Sequence, residues 1–143
     1  MDHEYNVALA VGASLSAIAF LLHVGIIIGG APWYRFFGAG ERMTAAVAAG
    51  RRYPAMVTAS IAAVFALWVA YALSGAGLIS TLPMLRLGLC AITAIYVLRG
   101  LAVIPVLAFG QPKSVLFIVW SSVISLTFGA THLIGLIQVW KTL

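Results

Sequence analysis

Four long runs of apolar residues, almost free of charge, decide what this chain can fold into. They cover residues 7–28, 55–73, 84–108 and 115–140. A run of about 20 apolar residues is long enough to cross the hydrocarbon layer of a membrane as a helix. Backbone N–H and C=O groups have no water partner in lipid, so each span must be α-helical. We therefore expect an all-α, polytopic membrane protein with four transmembrane helices.

The composition of the chain excludes an ordinary water-soluble domain. Of its 143 residues, 64% are hydrophobic and 8% are charged, against about 45–50% and about 25% in soluble domains. A chain of this length could not bury such an excess of apolar side chains in one core. The net charge of +5 comes without a basic stripe of interleaved aromatic residues, so we expect no nucleic-acid partner.

Turn-forming residues separate the four spans and indicate how the helices are ordered. They occupy residues 29–32, 74–77 and 110–113. Short connections make consecutive helices antiparallel neighbours. The sequence therefore predicts an up-and-down bundle of four transmembrane helices, which forms a single domain over residues 1–143.

The one long connection, residues 29–54, carries aromatic residues and four of the eight Lys and Arg residues. Tyr34 and Arg35 lie in an aromatic stretch that suits the headgroup level of a membrane. Glu41 begins the run 41–49, and arginines follow its end. This charge order complements a helix dipole, so we expect a short interfacial helix between the first and second spans.

The distribution of Lys and Arg predicts the orientation of the chain. The first and third connections hold five of these residues, whereas the termini and the second connection hold two. The five are Arg35, Arg42, Arg51, Arg52 and Lys113, and the two are Arg86 and Lys141. By the positive-inside rule, both termini lie outside and the first connection is cytoplasmic.

Ionisable side chains inside the spans are the candidates for function, because charge is costly in lipid. His23, Arg99 and His132 are such residues. Arg99 is expected near the middle of the third span, where inserting an arginine costs about 2.5–3.5 kcal/mol. It needs partners, which could be Glu41, a carbonyl freed by Pro105, or an anionic ligand. Arg99 is therefore either a structural strut or a binding residue.

A basic site for a small anionic or lipid-like ligand is the functional hypothesis that these residues support. Its proposed members come from the first and third spans and from the long connection: His23, Arg99, Tyr96, Tyr34, Arg35 and Glu41. The alternative for His23, an interior histidine that packs between helices, is the interpretation that its small-residue helix face favours.

Small and hydroxyl-bearing residues share one face of the first and fourth spans, a pattern typical of helix contacts in membranes. These helix-packing candidates are Gly12, Ser16, Ser121, Ser125, Gly129 and His132. The serines have no adjacent base and acid, so we expect no catalytic residues. His23 and His132 lie at different depths and Cys90 is the single cysteine, so we expect no haem, metal or other cofactor.

Three segments resemble those of small four-helix bacterial membrane proteins that have no assigned activity. They are residues 34–41 (YRFFGAGE), 71–78 (YALSGAGL) and 96–101 (YVLRGL). The resemblance extends over most of the chain and implies a bacterial inner-membrane location, but it supplies no catalytic residue. In length and helix count the chain is also similar to DoxX-type proteins, which implies architecture alone.

The sequence thus favours a non-enzymatic, multi-pass inner-membrane protein with a basic site at His23 and Arg99. One alternative is an accessory subunit that packs beside a larger membrane complex through its small-residue faces. Another is an oligomeric transporter or channel, because four helices enclose little space alone. The expected partners are membrane lipids, and other membrane subunits or further copies of the chain.

Overall fold

α-Helices are the regular secondary structure of the part of the chain that the structure describes. The computed structural model describes residues 5–109 and 115–142, and no β-strand occurs among them. The helices are α1 (Val7–Gly29), α2 (Ala31–Phe36), α3 (Glu41–Ala48), α4 (Tyr53–Gly75), α5 (Leu85–Leu101), α6 (Val103–Phe109) and α7 (Val115–Val139). The predicted all-α class is confirmed, whereas the predicted turn at 110–113 lies outside the described residues.

Four stretches of helix are long and apolar enough to cross a membrane. They are Val7–Gly29, Tyr53–Gly75, Leu85–Pro105 and Phe117–Val139. Between 17% and 28% of each stretch is buried inside the protein. Apolar helices that expose most of their surface belong in lipid and not in water. The chain is therefore a multi-pass membrane protein.

The third span is interrupted near its end. α5 ends at Leu101, Ala102 forms a turn, and α6 begins at Val103. Pro105 has no N–H to donate to the carbonyl of Leu101, and its ring crowds that carbonyl, which explains the break. Arg99 consequently lies in the last turn of α5, and not near the middle of a continuous helix as the sequence indicated.

The described residues group into two compact units. Unit 1 comprises Met1–Leu15 and Trp68–Leu143, and unit 2 comprises Ser16–Leu67. The start of α1 and the end of α4 belong to unit 1 together with α5, α6 and α7. The remainder of α1 and α4 belongs to unit 2 with α2 and α3.

Within unit 1 the long helices pack antiparallel. At one end of the α5–α7 pair, the guanidinium carbon of Arg86 lies 3.7 Å from the ring centroid of Trp140. Farther along α5 and backwards along α7, a Cβ atom added at Gly129 would lie 2.9 Å from Cγ2 of Val97. α1 also runs antiparallel to α7. Asn6 Nδ2, just before α1, donates to Gln138 Oε1 at 2.8 Å. Gly12, farther along α1, lies against His132, which comes earlier in α7 than Gln138.

Leucine and alanine side chains from several helices form the core of unit 1. The buried cluster consists of Leu9, Ala76, Leu85, Leu89 and Leu136. It lies where the start of α1, the end of α4, the start of α5 and the end of α7 meet. Close helix approach through glycine is the usual way in which membrane helices gain packing energy, and a Cβ at Gly75 would lie 2.8 Å from Leu89 Cδ1.

Unit 2 holds the connection between the first two spans. α3 occupies the place where the sequence predicted a short helix, whereas α2 is an additional helix that begins around Pro32, a favoured position for proline. Tyr34 attaches α2 to α4, since its side chain is 2% exposed and its hydroxyl lies 2.9 Å from Thr58 Oγ1. Thr58 donates its own hydrogen to the Pro54 carbonyl at 2.9 Å, so Tyr34 is the donor to Thr58.

Replacement of Tyr34 by phenylalanine tests this attachment. We expect Tyr34→Phe to lower the free energy of unfolding by about 1 kcal/mol, the usual net contribution of one buried hydrogen bond. Thermal unfolding of the purified protein in detergent would measure the change. Tyr53→Phe is the control, because the Tyr53 hydroxyl is exposed and donates to the sulfur of Met43, a weak acceptor. Equal losses in both variants would contradict the anchoring role of Tyr34.

Candidate functional site

Arg99 and Ser121 form a polar contact between α5 and α7 in unit 1. Nη2 of Arg99 donates to Oγ of Ser121 at 2.8 Å. The Arg99 side chain is exposed, in a helix whose neighbouring residues are apolar. Ser125, one turn along α7, donates its hydroxyl to the backbone carbonyl of Ser121 at 2.8 Å. The contact thus joins an exposed cation to a neutral hydroxyl.

No carboxylate side chain neutralises Arg99 from within the described part of unit 1. The chain has three acidic residues, Asp2, Glu4 and Glu41. The first two lie outside the described residues, and Glu41 belongs to unit 2. Ser121 accepts the Arg99 hydrogen bond, so its own hydroxyl hydrogen can be donated to another oxygen. Arg99 and Ser121 together therefore present donors and positive charge.

The Arg99–Ser121 contact lies near one end of the spans. Ser121 is four residues inside the span that begins at Phe117, which is about 6 Å along a helix. Arg99 lies at the same level because it is bonded to Ser121, and it sits in the last turn before the break in the third span. Long arginine side chains at such positions extend to the headgroup region.

Tyr96 lies in an aromatic cluster with Trp68, Phe128 and His132. Its side chain is buried, and its ring centroid lies 4.8 Å from that of Trp68, 5.3 Å from Phe128 and 5.2 Å from His132. Tyr96 and Arg99 are one turn apart on α5, yet one side chain is buried and the other exposed. The structure therefore brings Tyr96 together with His132, a residue that the sequence analysis assigned to helix packing.

His132 is the most enclosed ionisable side chain among the described residues of unit 1. It is 0% exposed, and Nδ1 lies 2.9 Å from the carbonyl of Phe128. A carbonyl only accepts, so Nδ1 carries the hydrogen. Nε2 is buried without a hydrogen-bond partner among the described residues. The ring is held by its own helix on one side and by packing on the other.

Gly12 on α1 lies directly against the His132 ring. A Cβ atom added at Gly12 would lie 2.8 Å from Cε1 and 3.0 Å from Nδ1 of the imidazole. Ser16, one turn farther along α1, is 0% exposed. Gly129, on the same helix as His132, is buried against Val97 and Tyr96. Glycine at position 12 thus leaves room for the imidazole.

His23 belongs to unit 2, where its ring also bonds to its own helix. Nδ1 donates to the carbonyl of Ala19 at 2.7 Å, and the ring packs on Phe65 with centroids 5.0 Å apart. The side chain is half-buried. Since Nδ1 carries the hydrogen, Nε2 of the neutral ring is an acceptor.

Arg35 and Glu41, the two charged members of the predicted site in the long connection, lie together in unit 2. They line a cavity of about 580 Å³, with Gly38, Gly40, Thr44, Ala45 and Ala48 completing its wall. Tyr34 is buried against α4 instead and does not line this cavity. Among the described residues, no three His, Cys, Asp or Glu side chains group as metal ligands.

Ser121 is the residue whose role the sequence analysis missed. It was placed with the helix-packing candidates, but in the structure it accepts the hydrogen bond of Arg99. A search for a hydroxyl on the neighbouring antiparallel helix, at the level of the charged side chain, would have found it.

No protein-family model matches the chain, and comparison with curated proteins and with solved structures gives no match.

The contact between Gly12 and His132 can be tested by a double-mutant cycle. We expect Gly12→Ala to destabilise the protein by about 1–3 kcal/mol, the usual penalty of overpacking, because the imidazole cannot move away. In a His132→Ala background the added methyl has space, and the higher helix propensity of alanine should make Gly12→Ala neutral or stabilising. Unfolding of all four proteins in detergent measures the coupling. Additive effects would show that the two residues do not interact.

Proposed function

We propose that this multi-pass membrane protein binds an anionic, lipid-like ligand through Arg99 and Ser121. The observation that carries the proposal is an exposed guanidinium on a membrane-spanning helix whose partner is a neutral hydroxyl. The described part of unit 1 holds no acidic residue that could neutralise it. A ligand anion would supply the missing negative charge.

The donors at this place suit a phosphate group. A guanidinium has five N–H donors in a planar fork, and the contact with Ser121 engages Nη2. The remaining N–H groups and the Ser121 hydroxyl can donate to separate oxygens of one anion. Arginine binds phosphate and carboxylate by such paired, charge-assisted hydrogen bonds.

The position of the contact favours a lipid as the source of the anion. Ser121 lies about 6 Å inside the fourth span, within reach of the headgroup region for an arginine side chain. The predicted orientation places this end of the spans at the cytoplasmic leaflet, where anionic lipids attract basic residues. The ligand would be held by binding alone, so the proposed function is not enzymatic.

His23 is the second basic residue of the hypothesis. Its half-buried ring bonds to its own helix through Nδ1 and has Nε2 as its other ring nitrogen. The proposal assigns the phosphate contact to Arg99, and His23→Gln in the same assay measures whether His23 adds to binding. A loss in that variant would show that His23 also contributes to lipid binding.

Lipid binding by the full chain tests the role of Arg99. Native mass spectrometry in detergent, with phosphatidylglycerol as the probe, gives the dissociation constant. We expect Arg99→Gln to weaken binding about tenfold and Ser121→Ala about threefold, as charge-assisted and neutral hydrogen bonds are lost.

Arg86→Gln is the matched control, because it removes the same charge from the same unit. Arg86 stacks on Trp140 at the opposite end of the α5–α7 pair. Its replacement should change phosphatidylglycerol binding less than twofold. Wild-type affinity in Arg99→Gln, or an equal loss in Arg86→Gln, would overturn the proposal.

A further inference from the structure

We propose that the cavity between α2 and α3 binds a zwitterion, with its phosphate at Arg35 and its ammonium group at Glu41. The ligand class is that of an ethanolamine phospholipid headgroup, which carries both charges on adjacent groups. This site lies in unit 2 and does not depend on the proposed role of Arg99, which lies in unit 1.

The cavity has the volume of a ligand site. Its volume of about 580 Å³ falls within the range of about 300–1,000 Å³ that ligand sites occupy. Its wall combines two charged residues, one hydroxyl residue and small residues, named above. A headgroup of a few heavy atoms fits this space.

Two residues of opposite charge, Arg35 and Glu41, favour a ligand that carries both charges. Arg35 and Glu41 line the same cavity, yet their charged groups are farther apart than the 4.0 Å of an ion pair. A ligand with one positive and one negative group can contact both residues at once. A purely anionic ligand would meet the repulsion of Glu41, so the arrangement discriminates between headgroups by charge pattern.

One face of α3 lines the cavity. Glu41, Thr44, Ala45 and Ala48 recur at the spacing of one helical face, and all four line the cavity. The methyl side chains of the two alanines take up little of this space. Arg42 contributes to a separate cavity with Arg51 and Tyr53. Glu41 and Arg42 therefore line different cavities.

The backbone that carries Arg35 is fixed before any ligand binds. The preceding residue, Tyr34, is buried and bonded to Thr58 on α4. Gly38 and Gly40, with φ of 69° and 85°, turn the chain from α2 into α3 through backbone conformations that favour glycine. A preformed cavity loses less conformational entropy on binding, so the modest charge interactions suffice for selectivity.

Comparison of lipids that differ only in headgroup tests the proposal on the full chain. Native mass spectrometry would use phosphatidylethanolamine, phosphatidylglycerol and phosphatidylcholine with identical acyl chains. We expect phosphatidylethanolamine to bind about fivefold more tightly than phosphatidylglycerol, which is about 1 kcal/mol for an exposed ion pair with Glu41. Phosphatidylcholine should bind more weakly than phosphatidylethanolamine, because its ammonium has no N–H to donate.

Three variants locate the selectivity. Glu41→Gln should abolish the preference for phosphatidylethanolamine over phosphatidylglycerol, and Arg35→Gln should weaken phosphatidylethanolamine binding about fivefold. Arg42→Gln is the matched control and should keep the preference. Ala48→Leu fills the cavity without changing charge, and leucine is also a good helix former, so this variant should weaken phosphatidylethanolamine binding even where a charge variant fails to fold. A preference that survives Glu41→Gln, or is lost in Arg42→Gln, overturns the proposal.

Two further arms separate the ligand sources and the two sites. Competition by soluble glycerophosphoethanolamine would assign the site to a free headgroup, whereas binding of the intact lipid alone would assign it to the membrane. In Arg99→Gln the preference for phosphatidylethanolamine should persist. Its loss there would overturn the proposal of an independent site, while weakened phosphatidylglycerol binding in that variant bears on Arg99 only.

Discussion

Hydrocarbon offers no hydrogen bond to a polar group, and this constraint shapes the polar side chains of every span. Several hydroxyl groups donate to a carbonyl four residues earlier in their own helix: Ser14 to Ala10, Thr58 to Pro54, Ser60 to Met56, Thr93 to Leu89, Ser125 to Ser121 and Thr127 to Val123. His23 and His132 use the same four-residue spacing through Nδ1. Each of these hydroxyl groups is satisfied within one helix and leaves the surrounding surface apolar, whereas the histidines are satisfied in this way at Nδ1 only.

Arg99 cannot follow this pattern, which is why it stands out from the other polar residues. A guanidinium carries five donors and a permanent charge, and one backbone carbonyl satisfies neither. Ser121 from the neighbouring helix accepts a hydrogen bond from one of these donors. It does not neutralise the charge. A ligand anion is the complement that the described part of unit 1 lacks.

The long helices could be predicted because membrane thickness fixes how many apolar residues a span needs. The predicted first span, 7–28, and the observed α1, Val7–Gly29, differ by one residue. Local interruptions were harder to predict, since α2 needs only a few residues and the α5–α6 break depends on Pro105. The sequence showed that Pro105 frees a carbonyl, but it did not show whether the helix would bend or end there.

The sequence identified Arg99 as a candidate but did not predict which side chain contacts it. Arg99 was identified from its charge alone, because an arginine in an apolar run needs a partner wherever it points. Its pairing with Ser121, and that of Gly12 with His132, depend on how far one helix is shifted along another. That shift is decided by many weak packing contacts, such as Gly129 against Val97, and no single residue encodes it.

Glu41 shows how placement on a helix can matter more than proximity to an opposite charge. It is the only acidic residue among residues 5–109 and 115–142, and basic residues are plentiful in the same connection. An exposed ion pair contributes only about 0–1 kcal/mol, and the helix dipole stabilises a carboxylate in the first turn of α3 by a similar amount without any partner. The carboxylate is thus held by its helix at one wall of the cavity while Tyr34 fixes the backbone of Arg35 at another. Because different contacts position Glu41 and Arg35, a space remains between their charged groups. Such a space suits a ligand that carries a positive and a negative group.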